Sequence, residues 1–255
     1  MTFVGIDGCH GGWLAVEVDE NGKHLGTSAR TSFEELSEEY SDAELALVDV
    51  PIGLRSSDND GDAVGTPRLC DSEARSAIYP RSSSVFQVPI REAVEAWETH
   101  HNDEDAIAKQ REVTGKSLTS QSLGIIDKIA EIEEYLPEGR QDNLRESHPE
   151  VCFAALNGGE PLNFSKSDDH SDAGIVERIG ILEDSGKFDA GDALSALADA
   201  TNQFDDVTFD DVLDAFVLAV TASKENRSTL PEDSEEDERG RQMEMVYAPE
   251  DAFND

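Results

Sequence analysis

The chain has 255 residues, of which 37% are hydrophobic, and carries 20 Lys plus Arg against 57 Asp plus Glu for a formal net charge of −37. That apolar content suffices for a buried core and excludes disorder by composition, while the charge argues against a broad basic nucleic-acid face and against a membrane-surface role. Acids run from Glu17 to Asp255, a spread that reads as adaptation to molar intracellular salt, where the Debye length is about 3 Å or less.

A cytoplasmic protein of a halophile is therefore expected. The start MTFVGIDGCHGG lacks a cationic segment, and no apolar run approaches the roughly 18 residues of a membrane span, so no targeting or spanning element is expected. Cys9, Cys70 and Cys152 are odd in number and lack CxxC spacing, which indicates neither a disulfide framework nor a zinc ribbon. His148 and Cys152 have the spacing of a metal pair on one helix face, but a helix-start histidine and a small buried thiol account for them more simply.

In chain order, Thr2 to Asp7 reads as an apolar strand and Gly11 to Val18 as a second. Asp19-Glu20-Asn21-Gly22 makes a hairpin turn before a third strand from His24 to Ala29. Thr31 or Ser32 caps a helix over Phe33 to Tyr40, with Glu34 and Glu35 where the helix dipole favours acids. Glu44 to Val50 has no polar face until Asp49, the pattern of a strand buried on both sides, and Pro51 ends it. Ser56 to Gly65 is polar loop or lid material. Helical patterns follow over Arg68 to Ile78, Ile90 to Glu112 and Ser120 to Tyr135, the last with Leu123, Ile126, Ile129 and Ile132 at helical spacing. Asn143 to Ser147 is a brief strand, and His148-Pro149 opens a helix stopped by Asn157-Gly158-Gly159. Ala173 to Glu183, Asp192 to Ala200 and the very apolar Asp210 to Ser223 are further helices. There are no internal repeats. The fold class is α/β with a mixed sheet: one domain over 1–255, with a mainly helical insertion over 56–137, a charged surface loop over 224–241 and a returning strand over 243–248.

Where about a fifth of the residues are acidic, spacing alone identifies nothing. A surface carboxylate is unremarked, whereas one flanked by core residues is costly unless paired, hydrogen-bonded or bound to metal. Asp7 ends the strand FVGI between Gly5 and Gly8, and Asp49 ends ELALV. If those strands are parallel neighbours, they lie about 4.8 Å apart and both carboxylates emerge at the same carboxyl edge, the usual ligand edge of α/β sheets. Asp211 and Asp214 share one face of the apolar helix. Two strand acids and one or two helix acids suit a pair of divalent ions roughly 3.5 to 4 Å apart. Each also has a structural reading: a turn aspartate at Asp7, a strand-end cap at Asp49, dipole-favoured acids at Asp210 and Asp211. Asp214, among Leu213, Phe216 and Val217, fits such a reading least.

GIDGCHGGW (5–13), VDVPIGL (48–54), RLCDSEAR (68–75), PRSSSVF (80–86), ESHPEVCFAALNGG (146–159), DDVLDAF (210–216) and the closing DERGRQMEMVY (237–247) together resemble the family labelled domain of unknown function 429 (DUF429). Its members are commonly described as predicted RNase H-like nucleases. The resemblance implies an RNase H-like core of three antiparallel strands followed by parallel strands, with helices on both faces and an inserted helical layer. The helix from Asp211 to Ala219 is also similar to the last acidic helix of Holliday-junction resolvases of that fold. By that match Asp7, Asp49 and Asp214 are metal ligands, with Asp211 or Glu146 completing the catalytic site; Asp192-Ala-Leu copies the helix pattern without a partner strand.

Bases are scarce, so the run of Arg68, Arg75, Arg81 and Arg91 with Ser82, Ser83 and Ser84 is the phosphate-contact candidate, since Arg reads phosphate bidentately and hydroxyls add neutral contacts. Ion pairing with nearby acids is the competing explanation for each. Lys116 and Lys128 are weaker candidates with a solvated helix face as their simpler reading. Trp13 and Phe86 are read as core residues rather than base-stacking platforms. GxGxxG and GxxxxGK[ST] are absent. The function expected is a metal-dependent nuclease using two Mg²⁺ or Mn²⁺ ions, with nucleic acid as the substrate partner. The alternatives are an actin-like or sugar-kinase-like phosphotransferase, on the strength of Gly5-Ile6-Asp7-Gly8, and a non-catalytic binding module of the same fold.

Overall fold

A computed structural model of the chain describes residues 1–136, 143–164, 171–186, 188–204 and 206–253. Strands β1 (Thr2–Cys9), β2 (Gly12–Asp19) and β3 (His24–Arg30) form the antiparallel meander. Helix α1 (Phe33–Glu39), N-capped by Ser32, leads into β4 (Leu45–Val48), and β5 (Leu144–Glu146) follows after the helical insertion. Both β4 and β5 run parallel to β1, and the sheet order is β3-β2-β1-β4-β5. This mixed sheet is consistent with an RNase H-like α/β fold.

Side-chain alternation divides the sheet into two cores. Phe3, Leu14, Val16, Leu45 and Leu47 pack on one face against α8 (Pro149–Leu156), α9 (Ser171–Ser185), α10 (Ala190–Gln203) and α11 (Phe209–Ser223). Val4, Ile6, Trp13, Ala15, Ala46 and Val48 pack on the other against α1 and the insertion. Helix α11 is buried without interruption from Val212 to Ser223. Its continuous apolar surface follows from lying directly over the central strand β1.

The insertion holds α2 (Ser57–Asp60), α3 (Leu69–Ala77), α4 (Arg91–His100), α5 (Asp103–Thr114), α6 (Ser120–Gly124) and α7 (Ile126–Tyr135). The segment Ser56 to Gly65, expected as loop, contains the short helix α2, whose cap Ser56 accepts from the Asn59 amide at 3.3 Å. The single helix expected over Ile90 to Glu112 is two helices. His101 adopts the left-handed conformation (φ 49°) and Asn102 restarts the chain by capping α5. The stretch Ser120 to Tyr135 likewise divides at Ile125 into α6 and α7.

The charged stretch 224–241, expected as a surface loop, contains β6 (Ser228–Glu236), which pairs antiparallel with β7 (Gln242–Tyr247) in a second sheet. Its run of exposed acids hides any alternation, and the strand is held by Leu230 packing beside Met243 and Met245. Strand β7 joins the main body through a parallel bridge between Val246 and Ser147. Among the described residues, no helix is long and apolar enough to cross a membrane.

Candidate functional site

On β1, Phe3, Gly5 and Asp7 share the face turned toward α11, because alternate residues point the same way. Gly5 allows the close approach: a Cβ there would lie 1.9 Å from the Ala215 carbonyl oxygen and 2.4 Å from the Ala219 amide nitrogen. The backbone of α11 therefore rests on the backbone of β1, one helical turn beyond Asp214. In the parallel register Ile6 lies opposite Val48, and the Asp49 amide donates to the Ile6 carbonyl at 3.0 Å, so Asp7, near the end of β1, and Asp49, just past the end of β4, lie side by side.

Asp7, Asp49 and Asp214 line one cavity of about 810 Å³. Asp7 and Asp214 are only 7% and 6% exposed, which distinguishes them from the surface acids. The cavity lies between the carboxyl edge of β1 and β4, the start of α8, and insertion segments containing Phe86, Ile125 and Lys128.

Glu146 and Arg68 also line the cavity but are committed to each other. Glu146, at the end of β5, receives two Arg68 hydrogen bonds at 2.6 and 2.8 Å and one from the Ile52 amide at 2.6 Å. The same guanidinium bonds both Asp71 oxygens and the carbonyls of Ile52 and Gly53, and Arg68 is 2% exposed. Burial pushes Glu146 up to about 7 against the opposing pull of Arg68. Arg68 thus closes the pocket wall as an internal ion pair instead of presenting a fork to phosphate. Its partner Asp71, which the sequence reading left out, lies within the RLCDSEAR motif. Three positions separate them, which a capping exchange at the start of α3 brings into contact.

Asp211 does not line the cavity; it accepts from the Thr208 amide at 2.7 Å while Thr208 caps α11 in return. Arg75 donates to the Val85 carbonyl at 2.9 Å and Ser82 to the Arg75 carbonyl at 2.6 Å, so both tie the 3-10 turn Ser82–Ser84 to α3 outside the pocket. Ser83 is exposed, also outside it. Arg91 is buried and paired with Glu133, Asp237 and Glu238. Arg81 does line the cavity, with its Nε 3.5 Å from Glu150, which is itself paired with the buried Arg178.

Lys128 is not on a solvated face. It is 7% exposed, its stem lies against Gly8, and its ammonium sits 4.8 Å from the Trp13 ring centroid and 3.4 Å from Glu131. A Cβ at position 8 would stand 3.4 Å from Lys128 Cγ, in van der Waals contact with that stem. Trp13 is fully buried as expected, whereas Phe86 is half-buried on the cavity wall. His148 caps α8 by accepting from the Glu150 amide at 3.2 Å, and Cys152 contacts the Ser147 hydroxyl at 3.0 Å, as the helix-start reading requires. Burial, with Asp211 and Asp7 adding to it, pushes the Cys9 thiol up to about 12, so no thiolate nucleophile borders the site at neutral pH.

A sequence profile described as Protein of unknown function (DUF429) matches residues 5–236. The chain belongs to the DUF429 family. Searches of curated proteins and of solved structures give no match. The matched span of this DUF429 chain contains Asp7, Asp49, Asp214, Arg81 and Lys128.

Proposed function

We propose that this DUF429 protein is a metal-dependent phosphodiesterase acting on nucleic acid, with Asp7, Asp49 and Asp214 holding two Mg²⁺ or Mn²⁺ ions. The observation that carries the reading is the convergence of these three acids, from two adjacent parallel strand ends and the helix packed over them, on one cavity. The donor set fits the ions: three carboxylates offer hard oxygen ligands, and the surrounding cavity has room for the waters such ions keep.

Bound divalent ions would neutralise phosphate charge and render a water nucleophilic near neutral pH. The chain's own residues supply the rest. The buried strand ends and α11 fix the three carboxylates on a rigid frame, which limits reorganisation during the reaction. Arg81 and Lys128 provide positive charge on the wall, and Phe86 offers an apolar face for a base. In the reaction a water oxygen forms a bond to phosphorus and gives up a proton, the bond from phosphorus to the leaving sugar oxygen breaks, and that oxygen takes up a proton.

Labelled single-stranded, duplex, hybrid and junction substrates, incubated with Mn²⁺ in molar KCl, test the proposal. Cleavage by the wild type should fall at least about 100-fold, roughly 2.7 kcal/mol of barrier, in both Asp7→Asn and Asp214→Asn. Equal cleavage by wild type and both variants would assign the activity to another centre or a contaminant.

A further inference from the structure

Resting on the hydrolytic reading above, we infer that the substrate is a short phosphodiester of about dinucleotide size, enclosed by the cavity with Arg81 and Lys128 as its phosphate contacts, and not a continuous duplex. The cavity, at about 810 Å³, lies within the roughly 300–1,000 Å³ of pockets that enclose a small molecule. Its candidate metal ligands are recessed, with Asp7 and Asp214 at 7% and 6% exposure. A rigid duplex carries its phosphates on a convex surface, which matches a recessed site bordered by Phe86 and Ile125 less well than a short, flexible ligand does.

Charge points the same way. A protein that follows a polymer does so with a basic track outside its site. Here 20 bases face 57 acids, and Arg68, Arg91, Arg178 and Arg241 are each 2% exposed or less and turned to internal partners. Two cations besides Arg68 line the cavity wall. Lys128 approaches from α7 beside Gly8, and Arg81 from the turn before Ser82–Ser84, where its Nε is buried without a hydrogen-bond partner at 3.5 Å from Glu150. The half-buried Phe86 and the apolar Val85, Val88 and Ile125 complete a surface suited to a nucleobase.

The test compares 5′-phosphorylated dithymidylate, a long single strand and a long duplex, each with Mn²⁺ for turnover and with Ca²⁺ for binding. Binding is read from the fluorescence of Trp13, adjacent to Lys128, in a Trp97→Phe background. The inference predicts kcat/KM on dithymidylate at or above that on either long substrate, and a KM raised about tenfold with a smaller change in kcat in Lys128→Gln and Arg81→Gln. The half-buried Arg81 keeps the test open should Lys128→Gln fail to fold. A preference of about tenfold or more for the duplex overturns the size inference and leaves hydrolysis standing. If nothing is cleaved, the hydrolytic reading fails; dithymidylate binding that both variants weaken then upholds the ligand class, and no fluorescence response to dithymidylate overturns it.

Discussion

Two groups of acids in this molecule are equally hidden and differently placed. Glu133 and Asp237 are 6% and 4% exposed, close to the 7% and 6% of Asp7 and Asp214. Around the turn between β6 and β7, Arg91 and Arg241 both pair with Glu133, Arg239 reaches it at 2.8 Å, and Asp237 meets Arg91 together with the amides of Leu54, Arg239 and Arg241. This clasp fastens the hairpin onto α4 and α7. At the carboxyl edge of β1 and β4, by contrast, the acids border open volume. Burial alone therefore does not single out a candidate site; what separates the two groups is that Asp7, Asp49 and Asp214 line a cavity. In the clasp the neighbours are arginines that hold the fold, and at the cavity there is space for a ligand.

That contrast predicts separable phenotypes. The largest effect falls on the packing that creates the cavity. Gly5→Ala places a methyl 1.9 Å from the Ala215 carbonyl, so α11 must shift and more than about 4 kcal/mol should be lost, abolishing a cooperative melt; a wild-type melting curve would show that the helix does not rest on the strand. Glu133→Ala leaves Arg91 and Arg241 buried without their shared partner and should cost about 3–5 kcal/mol in denaturant unfolding. Asp7→Asn, which keeps the side chain's shape, should remove turnover at a smaller cost in unfolding free energy than Glu133→Ala. If Asp7→Asn destabilises as much as Glu133→Ala, the two regions are not different in kind.

A smaller effect concerns pH. Glu146 rises from its ordinary 4.5 to about 7 in the folded chain, so between those values the folded protein keeps a proton that the unfolded chain has released. Stability contributed by Glu146 is thus greatest at the acid end of this window and falls as pH rises through it. The wild type should lose stability relative to Glu146→Gln between pH 4.5 and pH 7, and a flat difference would mean that Arg68 holds the carboxylate ionised throughout. Smallest is the cap of α11. Thr208→Ala removes the 3.3 Å bond from the Asp211 amide and should cost about 1 kcal/mol, with Mn²⁺-dependent cleavage retained because Asp214 lies beyond the first turn.

Sequence legibility follows the same division. Asp7, Asp49 and Asp214 stand out because each sits inside or at the end of an apolar run, a local signal. Glu133 and Asp237 carry no such mark; their burial comes from partners about a hundred positions away, as Glu133 and Arg241 illustrate. Arg68 stood out for the right reason, its position in an acid-rich chain, but its partners Glu146 and Asp71 are set by tertiary contact. Lys128, whose simpler reading from sequence is a solvated helix face, is instead buried, because that face packs against Trp13 and Gly8 on distant strands. The meander and the buried β4 were readable from alternation and turn chemistry, whereas β6 was not, since the acids on its exposed positions erase the pattern by which strands are recognised.

The most direct test of the three-carboxylate site is Mn²⁺ binding itself, followed by electron spin resonance of the free ion in molar KCl. Saturable binding by the wild type that is lost or weakened at least about tenfold, roughly 1.4 kcal/mol, in each of Asp7→Asn, Asp49→Asn and Asp214→Asn is the predicted result. Equal Mn²⁺ binding by folded wild type and all three variants would contradict it.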